Sequence, residues 1–286
     1  MTTPRQPSAE EPIPDAPVVP DVFDCYELCV QSPRHVSAFL YALHGGAPLV
    51  LREDFSGAAA ASLRWIRDGL ARGDADTRAL AVDLDDAALE RARAKAGSAA
   101  HALRLVRADC LETTDREPCD VAWVGNFSIG YLHTRADLMR YLRATRERLA
   151  LGNGGFGGGV LALDTYGGAG AFKLGGLDRT HPGRGHETIR YAWRHEEADA
   201  LTGMVTNSIS FRVEIAGEIV AEYPRAFVYR WRLWSIAELR EAMLEAGFAS
   251  TEVYSDVRVA PGERPVPVRA GELSEDWIVV VAARVG

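Results

Sequence analysis

The sequence predicts an α/β protein built on a doubly wound sheet, with an antiparallel β insert after the fifth strand. Three observations lead there. From residue 48 to 165, short apolar runs that end in acids or glycine alternate with alanine- and leucine-rich helical stretches, the rhythm of βα units with parallel strands. The segment from Pro48 to Asp85 gives strand, glycine turn, helix, second strand and a terminal acid in unbroken order. Between 166 and 234 the pattern changes to aromatic-rich alternation with a period of two, which suits hairpins rather than crossovers.

Residues 1 to about 20 are polar, acidic and proline-rich and read as a disordered tail. Residues 22 to 45 read as one helix, with Val36, Phe39, Leu40 and Leu43 on its apolar face and Gly45-Gly46 as its stop. Leu49, Val50 and Leu51 form the first strand, which runs into Glu53 and Asp54. Ser56 and Gly57 make a tight turn, and a helix continues to about Ala71. The second strand, Ala79 to Val82, ends on Asp83 with Leu84 just beyond it. A helix over Asp86–Ala96 leads to LRLVRADCL, a third strand that ends at Asp109 and Cys110. The fourth strand, Val121 to Val124, opens into Gly125-Asn126-Phe127, and a helix runs from Thr134 to about Leu149. Glycine-rich punctuation (LGNGGFGGG) precedes the fifth strand, VLALD, which ends at Asp164. After the insert, WSIAELREAMLEAGF reads as the last large helix, and ASTEVYSD with EDWIVVVAAR as a closing hairpin.

A strand, turn, helix, strand and acid in that order suit an adenosine-containing ligand, because the turn admits close backbone approach and the acid accepts hydrogen bonds from both ribose hydroxyls. A dinucleotide site needs three glycines spaced G-x-G-x-x-G. Here Gly57 is the only glycine of the turn; Phe55, Ala58 and Ala59 surround it, and two carboxylates stand just before. Carboxylates repel a pyrophosphate. They suit S-adenosylmethionine, which carries a sulfonium and an ammonium and no phosphate. Taken alone, the stretch is also compatible with an ordinary strand-turn-helix that binds nothing.

The whole order of elements resembles the class I S-adenosylmethionine-dependent methyltransferases over residues 48–165 and again over 235–284. The first motif of that family reads approximately D-x-G-C-G-T-G, against Glu53-Asp54-Phe55-Ser56-Gly57-Ala58-Ala59 here, so only the middle glycine is kept. The resemblance implies a Rossmann-like, seven-stranded mixed sheet with S-adenosylmethionine as cofactor. It implies contacts to that cofactor from Glu53, Asp54, Ser56 and Gly57, from Asp83 and Leu84 at the ribose, from Asp109 and Cys110 near the adenine, and from Asn126 and Phe127 after the fourth strand. The N-terminal helix looks like the cap that many small-molecule methyltransferases lay across the cofactor, which would bring Tyr26 and Gln31 to the methionine end; plain packing accounts for Tyr26 equally well. The insert resembles those of small-molecule N- and O-methyltransferases of the sugar and glycine types, which cover the active site or build a dimer. Methyl transfer to an O or N atom of a small molecule is the implied activity. Asp83→Ala is then expected to lower cofactor affinity about ten- to a hundredfold with folding nearly unaffected.

His133 is a candidate base for a hydroxyl or amine nucleophile, since it follows the motif after the fourth strand. Thr134 reads as a helix N-cap, which explains His133 equally well as a solvent-facing residue. Asp178, Arg179 and His181 fall in a glycine-rich loop expected to run to Gly185, with His186 just after it; a surface loop accounts for them better than a polar cluster over the substrate, and His195 with Glu196 and Glu197 is expected at a hairpin turn. Most aromatics of the insert, among them Trp193, Tyr229 and Trp231, are expected to pack, with one or two lining the acceptor pocket. No metal-ligand spacing is present, and Cys25, Cys29, Cys110 and Cys119 read as buried thiols.

With 286 residues, 47 % of them hydrophobic, the chain can bury the core of one large domain, or of one domain with an elaboration. A net charge of −8 without any polybasic tract disfavours a nucleic-acid partner. No apolar run approaches the roughly 20 residues of a spanning helix, and the polar start has no signal-peptide character, so no membrane partner and a cytoplasmic location are expected. The insert strands suggest a homodimer. Two rival readings remain: a non-catalytic binding protein on the same fold, and an NAD(P)-dependent oxidoreductase. The latter wants a phosphate-binding glycine loop and usually a Tyr/Lys or His proton donor, whereas the lysines here are Lys95 and Lys173.

Overall fold

The computed structural model describes residues 19–113, 115–150 and 158–286. The expected tail up to residue 18 and most of the glycine-rich run, 151–157, lie outside the described residues. Strands β1 (Val50–Asp54), β2 (Arg78–Asp83), β3 (Leu103–Arg107), β4 (Val121–Val124) and β5 (Val160–Gly168) are parallel. An insert of four antiparallel strands follows, β6 (Gly175–Pro182), β7 (Glu187–Asp199), β8 (Met204–Ile215) and β9 (Glu218–Arg232). Strands β10 (Ser250–Tyr254) and β11 (Asp276–Arg284) return to the first sheet, where β11 lies antiparallel to both β5 and β10. The spatial order of that seven-stranded sheet is β10-β11-β5-β4-β1-β2-β3, and the insert forms a separate sheet in the order β6-β7-β8-β9.

The helices are α1 (Val22–Cys29), α2 (Pro33–His44), α3 (Ala60–Arg72), α4 (Asp86–Ala96), α5 (Arg135–Arg148) and α6 (Ile236–Glu245). Leu138 and Leu142 of α5 and Leu239 and Met243 of α6 pack on one face of the sheet against Val124, Leu161 and Leu163. Phe39 and Leu40 of α2 and Leu63, Trp65 and Ile66 of α3 pack on the other face against Leu51, Val121 and Trp123. With both faces covered, every residue of β1 and β4 is buried, as expected for the centre of a parallel sheet. Local signals agree: Asp85 caps α4, Thr134 caps α5, and Ser235 with Glu238 forms a capping box on α6.

Two sequence expectations are corrected. The single helix over 22–45 is two helices, because Pro33 has no amide proton and drives the residue before it out of helical geometry; Ser32 has φ −129° and ψ 59°. The break lets α1 leave α2 and lie between the insert and α4. Cys25 and Tyr26 pack into the insert sheet, while Arg91 of α4 pairs with Asp21 and Asp24, and Lys95 with Glu27. The glycine-rich loop expected up to Gly185 contains β6, whose exposed residues alone give no strand signal; pairing along β7 from Gly175–His195 to Pro182–Thr188 makes it a strand.

The insert buries one face, with Val205, Asn207, Ile209, Phe211 and Val213 inward on β8. Ala216 and Gly217, at φ 52° and 86°, close the β8–β9 hairpin in two residues, as a turn of the primed type requires. The sheet reaches the main domain through Trp231, which lies over a 3₁₀ turn at Ser128–Tyr131. A Cβ on Gly130 in that turn would stand 2.7 Å from Trp231 Cβ, so the approach requires glycine. Gly130→Ala is expected to destabilise the protein by about 1–3 kcal/mol through overpacking, read as a shift in the urea midpoint at unchanged slope.

Candidate active site

The carboxyl ends of β1, β2, β3, β4 and β5 share one edge, where open α/β sheets bind ligands. A cavity of about 950 Å³ lies between this edge, α1 and α2, and the inner face of the insert. Glu53, Asn126 and Asp164 line its floor from three neighbouring strand ends, Tyr26 comes from α1, and Trp193 and Trp231 come from the insert.

Glu53 and Asp54 point to opposite faces, as successive strand residues must. Glu53 faces α3. Its Oε2 accepts hydrogen bonds from Ser62 N at 2.8 Å and Ser62 Oγ at 2.6 Å. Ala59, the N-cap residue of α3, sits in the left-handed region at φ 53° and offers no capping side chain, so the Glu53 carboxylate takes that role. Burial pushes its carboxyl up to about 7, against the opposing pull of the Ser62 and Ala61 bonds. A group whose folded pKa is raised contributes stability that is complete below its ordinary 4.5 and is lost as pH rises through about 7. A cationic ligand beside it prefers the ionised form, so its affinity is expected to rise as pH rises through about 7 and then level off, with proton release on binding near neutrality. Calorimetry in two buffers of different ionisation enthalpy checks this.

Asp54 is corrected. Its carboxylate lies on the far face, bonded to Arg52 Nε at 2.9 and 3.1 Å and to Tyr141 Oη at 2.9 Å. Arg52 is 0 % exposed and Asp54 1 %, so the pair belongs to the core under α5 and does not line the cavity.

At the neighbouring strand ends, Gly57 has φ 52° and open space where a Cβ would stand. Its N–H donates to Asp83 Oδ2 at 2.6 Å, and Asp85 N donates to Oδ1 at 2.9 Å. Asp83 therefore fastens the turn. The variant Asp83→Ala is now expected to lose fold stability of about 1–3 kcal/mol as well as cofactor affinity, measurable by denaturant unfolding without ligand. The Ser56 side chain is buried with its Oγ unpartnered. Leu84 is 62 % exposed beside Asp83. Asp109 folds back on its own turn, accepting from Leu111 N at 2.8 Å, and Cys110 is buried. These residues lie beside the cavity rather than in its lining, along the β2–β3 side of the edge.

Asn126 and Phe127 both adopt left-handed backbone, at φ 57° and 63°. This turns their amides onto Asp164: Asn126 N donates to Oδ2 at 3.0 Å and Phe127 N to Oδ1 at 2.6 Å. Burial pushes the Asp164 carboxyl up to about 7 although these amides pull the other way. Sequence reasoning saw Asp164 only as the end of a strand. The signal available was its place, two residues past Ala162, which is paired through Trp123 to Glu53.

The wall opposite is aromatic. Tyr229 and Trp231 stack with ring centroids 4.4 Å apart, Trp193 stacks on Tyr229, and Trp231 meets Phe127 edge-on. His195 lies within β7 and not at the turn, which spans 200–203. A register shift between His195 and Glu197 marks a bulge there, a device that re-aims side chains. His195 lines the cavity, accepts from Trp193 Nε1 at 3.1 Å, and is held below its ordinary value by burial. The expectation for His133 is corrected too: it is exposed, its Nε2 donates to the Arg230 carbonyl at 2.9 Å, and it does not line the cavity. Its place just before the Thr134 cap directs it to β9. Gln31 and Arg179 line the cavity, whereas Asp178 pairs with Arg194. Cys25, Cys110 and Cys119 are buried free thiols and Cys29 is a half-buried one. Among the described residues no cluster of metal-ligating side chains is present, and no helix is long and apolar enough to cross a membrane.

No protein-family model matches the chain, and no curated protein matches it. Solved structures do. A S-adenosylmethionine-dependent methyltransferase from Clostridium acetobutylicum ATCC 824 superposes with TM-score 0.64 at 15 % identity, covering 91 % of this chain and 96 % of that one. A S-adenosylmethionine-bound amino pentose methyltransferase from Micromonospora echinaspora gives TM-score 0.63 at 17 % identity over 94 % and 99 %. A sugar N-methyltransferase from Streptoalloteichus sp ATCC 53650 gives 0.61 at 17 % over 99 % and 100 %. The fold is that of the class I methyltransferases, insert included.

Proposed function

We propose that this fold serves here as a S-adenosylmethionine-dependent methyltransferase acting on an O or N atom of a small-molecule acceptor, with nitrogen the favoured atom. The observation that carries the reading is the Glu53 carboxylate on the first turn of α3. A dinucleotide would place its pyrophosphate on that helix end, where a carboxylate and not a free amide stands; Gly57 N is likewise engaged by Asp83. Two of the donors a phosphate would use, Ser62 N and Gly57 N, are occupied by acids, and acids suit an ammonium and a sulfonium.

In this reading Glu53 would hold the amino group of the methionine end and Asp83 the ribose. The loop at Asn126 and Phe127, together with Tyr26, would close the middle, and Asp109, Leu84 and Cys110 would flank the adenine. Bound there, S-adenosylmethionine supplies an electrophilic methyl group. The residues of the chain orient the acceptor and exclude water. Trp193, Tyr229 and Trp231 form a flat apolar wall suited to a ring. Aromatic faces also attract cations, which favours an amine acceptor, as does the sugar N-methyltransferase named for one structural neighbour. Exposed Ile219, Val220 and Val228 on the edge strand β9 support a homodimer, and the composition supports a cytoplasmic location. Turnover with isotopically labelled methyl donor and a metabolite extract tests the activity. Labelled product supports the proposal; donor binding without any product would leave a binding protein on this fold.

A further inference from the structure

We propose that Asp164 takes the proton from a protonated amine acceptor, and so selects for amines at the acceptor side of the cavity. This deepens the reading just given and rests on it. The sheet order puts β5 on the side of β4 away from β1 and β2. The strand ends that suit the ammonium and ribose of the cofactor, Glu53 and Asp83, therefore lie on one side of the Asn126–Phe127 loop, and Asp164 lies on the other, toward β11 and the insert.

Asp164 is built for this place. Each carboxylate oxygen is fixed by one backbone amide, which leaves a second lone pair on each for a donor from the cavity. Its side chain keeps contact with the cavity while protein surrounds it elsewhere. Phe127, Tyr166 and Trp231 pack together at the same end of the cavity, and aromatic faces and a carboxylate make one cation-binding corner. The other titratable groups lining the cavity are Tyr26 and Cys29 from α1, Glu53 from β1, Tyr166 from β5, Arg179 from β6, Tyr191 and His195 from β7, Tyr229 from β9, Tyr254 from β10, Asp256 and Glu272 from the segment between β10 and β11, and Asp276 from β11. His195 already accepts the Trp193 indole proton at its Nε2, and His133 lies outside.

The step balances. One N–H bond of the ammonium breaks and its electron pair stays on nitrogen; the proton forms an O–H bond to Asp164. The ion pair becomes a neutral amine, which can act as a nucleophile, and a neutral carboxylic acid. Ammonium and carboxyl must be comparable acids inside the cavity for this to be easy, and burial brings them together by raising Asp164 and lowering a buried ammonium. An alcohol gains little, because its proton is far less acidic than any carboxyl.

The test uses the full chain saturated with S-adenosylhomocysteine, and its binding is measured first; if it does not bind, the proposed function fails before this inference is addressed. Cyclohexylamine and cyclohexanol then serve as probes of equal shape. The amine is expected to bind at least tenfold more tightly than the alcohol at pH 8, to weaken as pH falls below about 7, and to release a proton on binding at pH 6.5 in paired-buffer calorimetry. Asp164→Asn should abolish the preference and the proton release, and Asp276→Asn, which removes the carboxyl that β11 contributes to the cavity, should retain both. Equal affinity for amine and alcohol in the wild type overturns the inference, as does proton release that survives Asp164→Asn. Should Asp164→Asn fail to fold, the carboxyl 13C signals of aspartate-labelled protein decide: an aspartate that passes from acid to carboxylate on addition of cyclohexylamine at pH 6.5, in the wild type and still in Asp256→Asn and Asp276→Asn, supports Asp164, and no such change overturns it.

Discussion

Glu53→Gln is expected to weaken S-adenosylmethionine binding about ten- to a hundredfold, while leaving the ligand-free protein at least as stable as the wild type at pH 8. The two effects have separate causes. Both Ser62 donors converge on one oxygen, Oε2, and a glutamine carbonyl can accept both, so the start of α3 stays satisfied. The variant lacks only the negative charge. In the free protein that charge is a burden, as its carboxyl pushed up to about 7 attests; removing it relieves a desolvation cost that the wild type bears at alkaline pH. In the complex the same charge faces the ligand's ammonium, and a hydrogen bond between charged groups contributes about 1.5–3 kcal/mol, which converts to the affinity loss stated. Calorimetry and urea unfolding on one preparation read both. Unchanged affinity would remove Glu53 from the cofactor site, and a large stability loss would mean that its charge, not its oxygen, holds α3.

Arg52→Ala is expected to have the largest effect on the fold itself, a loss of about 3–5 kcal/mol, because it leaves the Asp54 carboxylate buried without its partner. Arg52 bridges Asp54 by two nitrogens, and Tyr141 of α5 donates a further hydrogen bond to Asp54 Oδ2. The double variant Arg52→Met with Asp54→Leu replaces the pair by apolar groups and should recover most of that loss, since burying two charges costs about as much as their attraction returns. Cofactor affinity in the double variant should be near that of the wild type, because both side chains lie on the α5 face and the cavity on the other. A double variant that folds but binds weakly would put Asp54 back into the site.

Much of this was legible in the sequence where periodicity and caps speak locally. Asp86–Ala96 and Val121–Val124 appear with the boundaries read from the residues, because apolar spacing, the Asp85 cap and the flanking turn residues all agree. What escaped was information that pairs distant segments. Strand β6 exists through its ladder to β7 and carries almost no apolar signal of its own. The separation of Glu53 from Asp54 was available in principle from the alternation of a strand, once Arg52 two residues earlier is seen as the partner of Asp54 across one pleat. Pro33 was likewise a readable break between α1 and α2. The position of His195 was not readable, because it depends on a bulge against β8. Nor was the role of Asp164, which depends on two left-handed residues in a loop 37 and 38 positions away.

The central claim is that the acids at the strand ends select a cationic, phosphate-free adenosine cofactor, and differential scanning of the wild-type protein tests it most directly. At a hundredfold excess over its dissociation constant, a ligand that binds only the folded state adds about 2.7 kcal/mol, worth several degrees of midpoint for a chain of this size. S-adenosylmethionine and S-adenosylhomocysteine should each raise the midpoint, and each more strongly as pH is raised from 6 to 8, while NAD and NADP at the same concentration leave it unchanged. A rise with NAD or NADP and none with either sulfur ligand would contradict the account, because a phosphate would then be seated where Glu53 and Asp83 are held to exclude it.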